Sequence, residues 1–117
     1  MTFFATLCSI FGCSAQGFTS VNAEEFAREI EKPGVQLVDV RTASEYADGH
    51  IPNAINIDIY SPDFAKRIAT LDKEQSIALY CRSGRRSKSA AEQAAKLGYK
   101  VIELDGGILS WPGKTVR

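Results

Sequence analysis

Short, almost wholly apolar runs of strand length constrain the fold of this chain more than any other feature. Three of them occupy residues 35–40, 54–57 and 76–80, and a fourth covers residues 100–104. Helical patterns precede or separate these runs, at residues 23–31, 44–47, 62–70 and 87–97. Parallel neighbouring strands need crossover connections, which alternating helices supply. The sequence therefore predicts an α/β fold with a central, mostly parallel sheet of about five strands flanked by helices.

Large side chains at helical spacing indicate the core. Phe64, Ile68 and Leu71 recur in and just after the helical pattern at residues 62–70, so we expect them to face the sheet. Tyr99 and Trp111 are expected to pack in the core or at its rim.

The first 17 residues differ in composition from the rest of the chain. No charged side chain occurs between residues 2 and 23, and residues 3–11 are mostly apolar. This stretch is too short to span a bilayer as a helix, which needs about 20 apolar residues. Two interpretations stay open for residues 1–17. The segment is either a lipoprotein-type signal, whose lipobox-like residues 10–13 would place a lipid on Cys13, or a disordered or loosely packed tail. Residues 18–117 are predicted to form the folded domain.

The charge balance limits the partners. The chain has 117 residues, with 14 Lys+Arg against 14 Asp+Glu and a formal net charge of zero. Nucleic-acid-binding proteins show a large basic excess, so no nucleic-acid partner is expected. A membrane partner is expected only if Cys13 carries a lipid, which would direct the protein to a bacterial cell envelope. Otherwise we expect it in the cytoplasm.

The three cysteines lack the spacing of a metal site. Neither a Cys-x2-Cys pair nor a second histidine accompanies them, so no zinc site or disulfide framework is predicted. The roles of Cys8 and Cys13 stay open, and Cys81 is the candidate for a chemical role.

Residues 81–87 carry the strongest chemical signal. Cys81 follows the strand at 76–80, and four of the 14 basic side chains fall within residues 82–88. A thiol at the carboxyl end of a strand and before a helix faces backbone N–H groups and the positive end of the helix dipole, and both favour the thiolate. Lowering the thiol pKa from about 8.5 to about 6.5 would raise the ionised fraction at pH 7 from about 3% to about three quarters. The residues alone also allow a structural cysteine beside a solvated basic helix start.

Four separated segments together resemble a known family. They read Leu-Val-Asp-Val-Arg at 37–41, Glu-Tyr-Ala-Asp-Gly-His-Ile-Pro-Asn-Ala-Ile-Asn-Ile at 45–57, Cys-Arg-Ser-Gly-Arg-Arg-Ser at 81–87 and Gly-Gly-Ile-Leu-Ser-Trp at 106–111. In this order they are similar to the signatures of the rhodaneses, and the resemblance extends from about Phe18 to Trp111.

The resemblance implies a parallel sheet flanked by helices and a sulfurtransferase that works by a ping-pong scheme without a cofactor. Cys81 would be the nucleophile. It would take a sulfane sulfur from a small anionic donor, thiosulfate or a persulfide, and pass it to a thiol or cyanide. Backbone N–H groups of residues 82–86 would cradle the persulfide, and the arginine side chains would attract the donor. The implied substrate-binding residues are Arg82, Ser83, Gly84, Arg85 and Arg86.

Loop length separates this prediction from two alternatives. The loop has a Cys-x4-Arg spacing ending at Arg86, whereas the related dual-specificity phosphatases carry Cys-x5-Arg, a ring wide enough for a tetrahedral phosphate. The shorter loop favours sulfur transfer over anion hydrolysis. The remaining alternative is an interaction module that is non-catalytic or carries a persulfide.

Two other groups have simpler interpretations. Asp39 and Arg41 end the strand at 35–40, and we expect them to form an ion pair that braces the Cys81 loop, with contact to the donor as the alternative. His50 is the only histidine. It is expected to satisfy backbone groups of its own loop rather than to act as a general base toward Cys81.

Overall fold

Five strands form one sheet in the order β1–β5–β4–β2–β3, and each neighbouring pair is parallel. The computed structural model describes residues 17–117. The strands are β1 (Thr19–Val21), β2 (Gln36–Asp39), β3 (Ile55–Asn56), β4 (Ile77–Tyr80) and β5 (Val101–Leu104). The predicted α/β fold is confirmed, and the sheet is parallel throughout the described residues.

Helices pack on both faces of this sheet. They are α1 (Ala23–Ile30), α2 (Ala43–Asp48), α3 (Phe64–Ile68) and α4 (Arg85–Lys96), and a 3-10 turn follows β5 at Gly107–Ser110. Successive strand residues point to opposite faces. Val38 therefore packs in the cluster that contains residues of α3 and α4, while Leu37 packs in the cluster around Phe26 of α1.

Strand β4 lies in the middle of the sheet, and all four of its residues are buried. A parallel strand covered by helices on both faces needs apolar side chains at every position, which explains the uninterrupted run Ile-Ala-Leu-Tyr. The carboxyl end of this strand delivers Cys81 to the edge of the sheet where the functional loops lie.

The element bounds differ from the sequence prediction where backbone geometry decides them. Helix α4 begins at Arg85, two residues earlier than predicted, because Gly84 precedes it with φ +100°. Only a glycine adopts that conformation without strain. The pattern does not predict β1, since this edge strand has three residues and pairs on one side only, with β5.

The predicted core side chains are buried or, for Leu71 and Trp111, partly buried. Phe64 and Ile68 pack between the sheet and α4, and Leu71 packs against the same cluster. The buried Tyr99 donates its hydroxyl to the carbonyls of Ile68 and Leu71, at 2.8 and 2.7 Å. Trp111 is partly buried and meets the ring of Phe26 edge-on.

The predictions for the amino-terminal segment concern residues that the structure does not describe. The lipobox-like stretch, Cys8 and Cys13 all fall within residues 1–16, so the two interpretations of that segment stay predictions. Within residues 17–117, no helix is long and apolar enough to cross a membrane.

Candidate functional site

Cys81 lies directly after β4, and its thiol is fully buried. The backbone N–H of Gly84 points at Sγ, at 3.1 Å. The Ser87 hydroxyl lies 3.5 Å from the same sulfur. Because α4 begins at Arg85, the sulfur also faces the amino end of a 12-residue helix. The predicted arrangement of a thiol against a helix start is present.

The 3-10 turn orients the peptide groups of this loop. The N–H groups of Ile108 and Leu109 donate to the carbonyls of Cys81 and Arg82, at 2.9 and 3.1 Å. In a planar trans peptide the next N–H points the opposite way from the carbonyl. These bonds therefore turn the N–H groups of Arg82 and Ser83 away from the 3-10 turn.

A close backbone contact keeps the turn against the loop. Gly107 has φ +65°, and a Cβ at this position would overlap the carbonyl group of Arg82. Only a residue without a side chain allows this approach. The Gly-Gly pair at 106–107 is therefore part of the site's framework.

The surroundings of Cys81 act in two directions on its ionisation. Burial disfavours the charged form and would raise the pKa of the thiol. Hydrogen bonding with the Ser87 hydroxyl and with the backbone N–H groups of Ser87, Gly84 and Ser83 acts the other way. The donors prevail, and the pKa of Cys81 lies below the ordinary value. The loop can therefore activate a nucleophile and receive a second anion beside it.

The three arginines of the loop occupy different environments. Arg82 and Arg85 are exposed, and among the described residues neither forms an ion pair. Arg86 is mostly buried and forms a two-pronged pair with Glu45, at 2.8 and 2.9 Å. Its guanidinium also lies 6.0 Å from the centre of the exposed Tyr60 ring. Arg86 thus joins the loop to α2, and its contact with a donor stays a prediction.

Glu45 is held in place for this pairing by the start of its own helix. The Thr42 hydroxyl accepts from the Glu45 N–H, and the Glu45 carboxylate accepts from the Thr42 N–H, so the two residues form a capping box. The bonds from Arg86 and Thr42 lower the pKa of Glu45 to about 2. Glu45 is a site residue that the sequence pattern did not identify, although Thr-x-x-Glu is a recognisable capping signal.

Asp39 and Arg41 form the predicted ion pair, and both are buried. Arg41 Nε lies 3.0 Å from each carboxylate oxygen of Asp39, and its Nη2 also donates to the carbonyl of Gly49 at 2.7 Å. Among the described residues, neither side chain bonds to residues 81–87. The pair fixes the segment that carries α2, and it reaches the Cys81 loop through Glu45 and Arg86. A role as support for that loop stays a prediction.

His50 contacts a backbone group, as the sequence suggests, but that group belongs to the preceding helix α2 rather than to its own loop. Its Nδ1 lies 2.9 Å from the carbonyl oxygen of Tyr46, and its ring stacks on the Tyr46 ring at 3.7 Å between centres. Its backbone also pairs with Val116.

A buried carboxylate lies behind the thiol, on the side of Ser87. Glu103 of β5 is fully buried, and it accepts hydrogen bonds from the hydroxyls of Ser20 and Ser87. Lys88 pairs with it at 3.4 Å. The sequence holds one signal for this residue, because a glutamate interrupts an apolar strand on the face that Val101 also occupies. In the described part of the chain, no group of three or more His, Cys, Asp or Glu side chains could hold a metal ion.

Comparison with known proteins agrees with this geometry. The family model described as Rhodanese-like domain matches residues 22–114. A sulfurtransferase from Allochromatium vinosum is 33% identical over 93 residues, which cover 78% of this chain and 85% of that protein. Thiosulfate sulfurtransferase GlpE from Pseudomonas paraeruginosa is 38% identical over 91 residues, with 76% and 80% covered. The crystal structure of a rhodanese-related protein from Thermoplasma volcanium superposes with a TM-score of 0.75 at 30% identity, covering 85% of this chain and 98% of that one.

The same kind of domain also occurs inside longer proteins. The tRNA uridine(34) hydroxylase of Legionella pneumophila is 35% identical over 98 residues, which are 80% of this chain but 39% of that protein. The family match covers most of this chain and includes all four sequence segments, of which the thiol loop is one. On these grounds the chain belongs to the rhodanese family.

Proposed function

We propose that this chain is a sulfurtransferase that moves a sulfane sulfur through a persulfide on Cys81. One observation carries the proposal most directly. The buried Cys81 sulfur receives a backbone N–H bond from Gly84 at 3.1 Å beside the start of α4, which favours an anionic sulfur. The names of its relatives, sulfurtransferase and thiosulfate sulfurtransferase, support the same chemistry.

The first half-reaction loads the enzyme. The Cys81 thiolate attacks the sulfane sulfur of an anionic donor such as thiosulfate. A new S–S bond forms to Sγ, the S–S bond of thiosulfate breaks, and sulfite leaves with the bonding electron pair. Exposed Arg82 and Arg85 attract the donor through their charge, and N–H groups of residues 82–86 stabilise the terminal sulfur of the persulfide.

The second half-reaction unloads it. A thiophilic acceptor, a thiol or cyanide, attacks the terminal sulfur, and the electron pair of the S–S bond returns to Cys81 as a thiolate. The scheme is ping-pong, because the first product leaves before the second substrate reacts. It needs no cofactor, since no electrons or groups other than the sulfur are transferred.

Loop geometry favours this reaction over phosphate hydrolysis. Arg86 is the arginine nearest to the position that the phosphatases' Cys-x5-Arg spacing requires. Both of its terminal nitrogens donate to Glu45. We expect no appreciable cleavage of aryl phosphates by the unmodified protein.

A persulfide-carrying or non-catalytic interaction module is the second candidate. The observation in its favour is that a similar domain makes up only part of longer proteins, as in the hydroxylase above and in an HTH-type transcriptional regulator of Mycobacterium tuberculosis, of which this chain spans 41%.

Intact-protein mass and turnover distinguish these functions. Thiosulfate treatment should add one sulfur atom to the protein, and added cyanide should remove it and form thiocyanate catalytically. Cys81→Ser should abolish both signals while the far-UV spectrum stays unchanged. As matched controls, Cys8→Ser and Cys13→Ser should turn over like the parent. A persulfide that forms but does not turn over favours the carrier module, and the absence of any persulfide refutes sulfur transfer.

A further inference from the structure

The buried carboxylate of Glu103 is connected to the thiol by a single hydroxyl. Ser87 Oγ lies 2.6 Å from a Glu103 oxygen and 3.5 Å from Cys81 Sγ. All three side chains are fully buried, so water does not compete for these bonds. The proposed sulfur transfer uses the thiol and the loop but requires nothing of Glu103.

A serine hydroxyl has one proton to donate. In the structure that proton is directed to Glu103, so the lone pairs of Ser87 face the sulfur, and Ser87 can accept a hydrogen bond from a Cys81 thiol. A Cys81 thiolate has no proton to give and needs the Ser87 hydroxyl as a donor. The thiolate and Glu103 therefore require the same proton.

We propose that Glu103 is a positioning residue that competes with the Cys81 thiolate for the hydroxyl proton of Ser87. The inference rests on the proposed function only for its catalytic meaning, because the competition itself concerns the protonation of Cys81. A thiolate that shares its donor is more basic, and a more basic thiolate is intrinsically a stronger nucleophile toward sulfur. The carboxylate would thus lower the fraction of Cys81 that is ionised and raise the nucleophilicity of the thiolate that does form.

Several charged groups surround this array. Lys88 of α4 pairs with Glu103 and also with Asp105, at 3.4 and 2.9 Å. Ser20 of β1 donates to Glu103 from the sheet edge. Arg86 also interacts with Cys81 through its charge. Lys88 and Ser20 stabilise the Glu103 carboxylate, so they set how strongly it draws the Ser87 proton.

The test measures the midpoint of thiolate formation from the pH dependence of iodoacetamide alkylation, in the background Cys8→Ser/Cys13→Ser so that only Cys81 reacts. Glu103→Gln keeps the side-chain volume and removes the charge. We expect its midpoint to fall by about one pH unit, at the lower end of the shifts that a nearby charge causes. Well below the midpoint, alkylation should be about threefold faster, after allowance for the lower nucleophilicity of a less basic thiolate.

A double-mutant cycle separates the hydroxyl route from a simple field effect. With Ser87→Ala as the starting protein, Glu103→Gln should shift the midpoint by less than half as much, whereas Ser87→Thr, which retains the hydroxyl, should restore the full shift. An equal shift with and without the hydroxyl would overturn the proposal, and so would an unchanged midpoint in folded Glu103→Gln.

Ser20→Ala provides a second test with the opposite sign, should Glu103→Gln not fold. Removing this donor leaves Glu103 more dependent on Ser87, so the midpoint should rise by a few tenths of a pH unit, in keeping with the loss of one partner of a charged group. A midpoint that falls or does not change contradicts the proposal. These readings do not require sulfur transfer, so a protein that forms no persulfide would refute the proposed function and leave this test intact.

Discussion

Two loops leave adjacent strands at the same edge of the sheet, yet their arginines have opposite environments. After β2, Arg41 is buried and both Asp39 and a backbone carbonyl satisfy it. After β4, Arg82 and Arg85 stand exposed, without an ion-pair partner in the described part of the chain. The first loop uses its positive charge for structure, whereas the second keeps it available to an incoming anion.

Arg86 and Glu45 connect the two loops. Glu45 belongs to the segment that the Asp39–Arg41 pair fixes, and Arg86 belongs to the thiol loop. The arginine content of a loop therefore does not reveal its role, and the partner of each guanidinium does. Four experiments test this contrast, each acting on a different part of it.

The largest effect is expected from Arg41→Ala. It leaves the fully buried Asp39 carboxylate without its cation, and removing one partner of a buried pair costs about 3–5 kcal/mol of unfolding free energy. Urea unfolding followed by circular dichroism measures it. Arg85→Ala is the matched control in the other loop and should unfold at the parent's midpoint. Equal midpoints for the two variants would contradict the contrast.

A glycine inserted between Gly84 and Arg85 should lower sulfur transfer about a hundredfold, because the backbone donors no longer converge on Cys81. The change also moves Arg86 to the phosphatase spacing, and aryl phosphate cleavage can be assayed alongside. The same insertion in the exposed segment between Lys32 and Pro33 serves as a control and should leave turnover unchanged. Unchanged transfer in the first insertion would mean that loop length does not set the chemistry.

Glu45→Gln should cost about 1 kcal/mol, since it weakens a partly exposed, two-pronged ion pair. The effect has a defined pH range. The pKa of Glu45 falls from 4.5 to about 2 in the folded protein, so its contribution is complete above pH 4.5 and is lost as the pH falls toward 2. The stability difference between parent and variant should shrink over that range in acid unfolding curves. A difference that is the same at pH 6 and pH 2.5 would exclude this origin.

The smallest effect is expected from Arg82→Ala and Arg85→Ala. Each should raise the KM for thiosulfate about two- to fivefold at low salt and less at high salt, because an exposed charge attracts a divalent anion through a screened field. Arg86→Ala should also raise KM, with an added loss of stability. Thiocyanate formation measured across ionic strength tests all three. If the KM of each variant matched that of the parent at every salt concentration, these arginines would be solvated surface charges with no role in donor binding.

Much of this architecture follows from local patterns. The apolar runs predict β2, β3, β4 and β5, and the strand-end rule brings Cys81 and Arg41 to one edge of the sheet. The family resemblance contributes the role of Cys81, which composition alone leaves open.

Contacts between residues far apart in sequence were not predictable in the same way. Arg86 and Glu45 are separated by 41 positions, and Ser87 and Glu103 by 16. No periodic pattern encodes such partners, because they meet only when the sheet and α4 are assembled. For the same reason, the sequence groups Arg82, Arg85 and Arg86 as three equivalent cations, whereas the fold separates one of them from the others.

The close approach at Gly107 limits how this site can change through mutation. Any side chain at this position would collide with the carbonyl group of Arg82. One side of the loop around the sulfur is therefore fixed. Arg82, Ser83 and Arg85 point outward and are exposed, so a library that varies these three can alter the choice of donor without rebuilding the ring. We therefore expect new donor specificities from changes to these three exposed side chains. A new reaction would require the Cys81 loop and the 3-10 turn to be redesigned together.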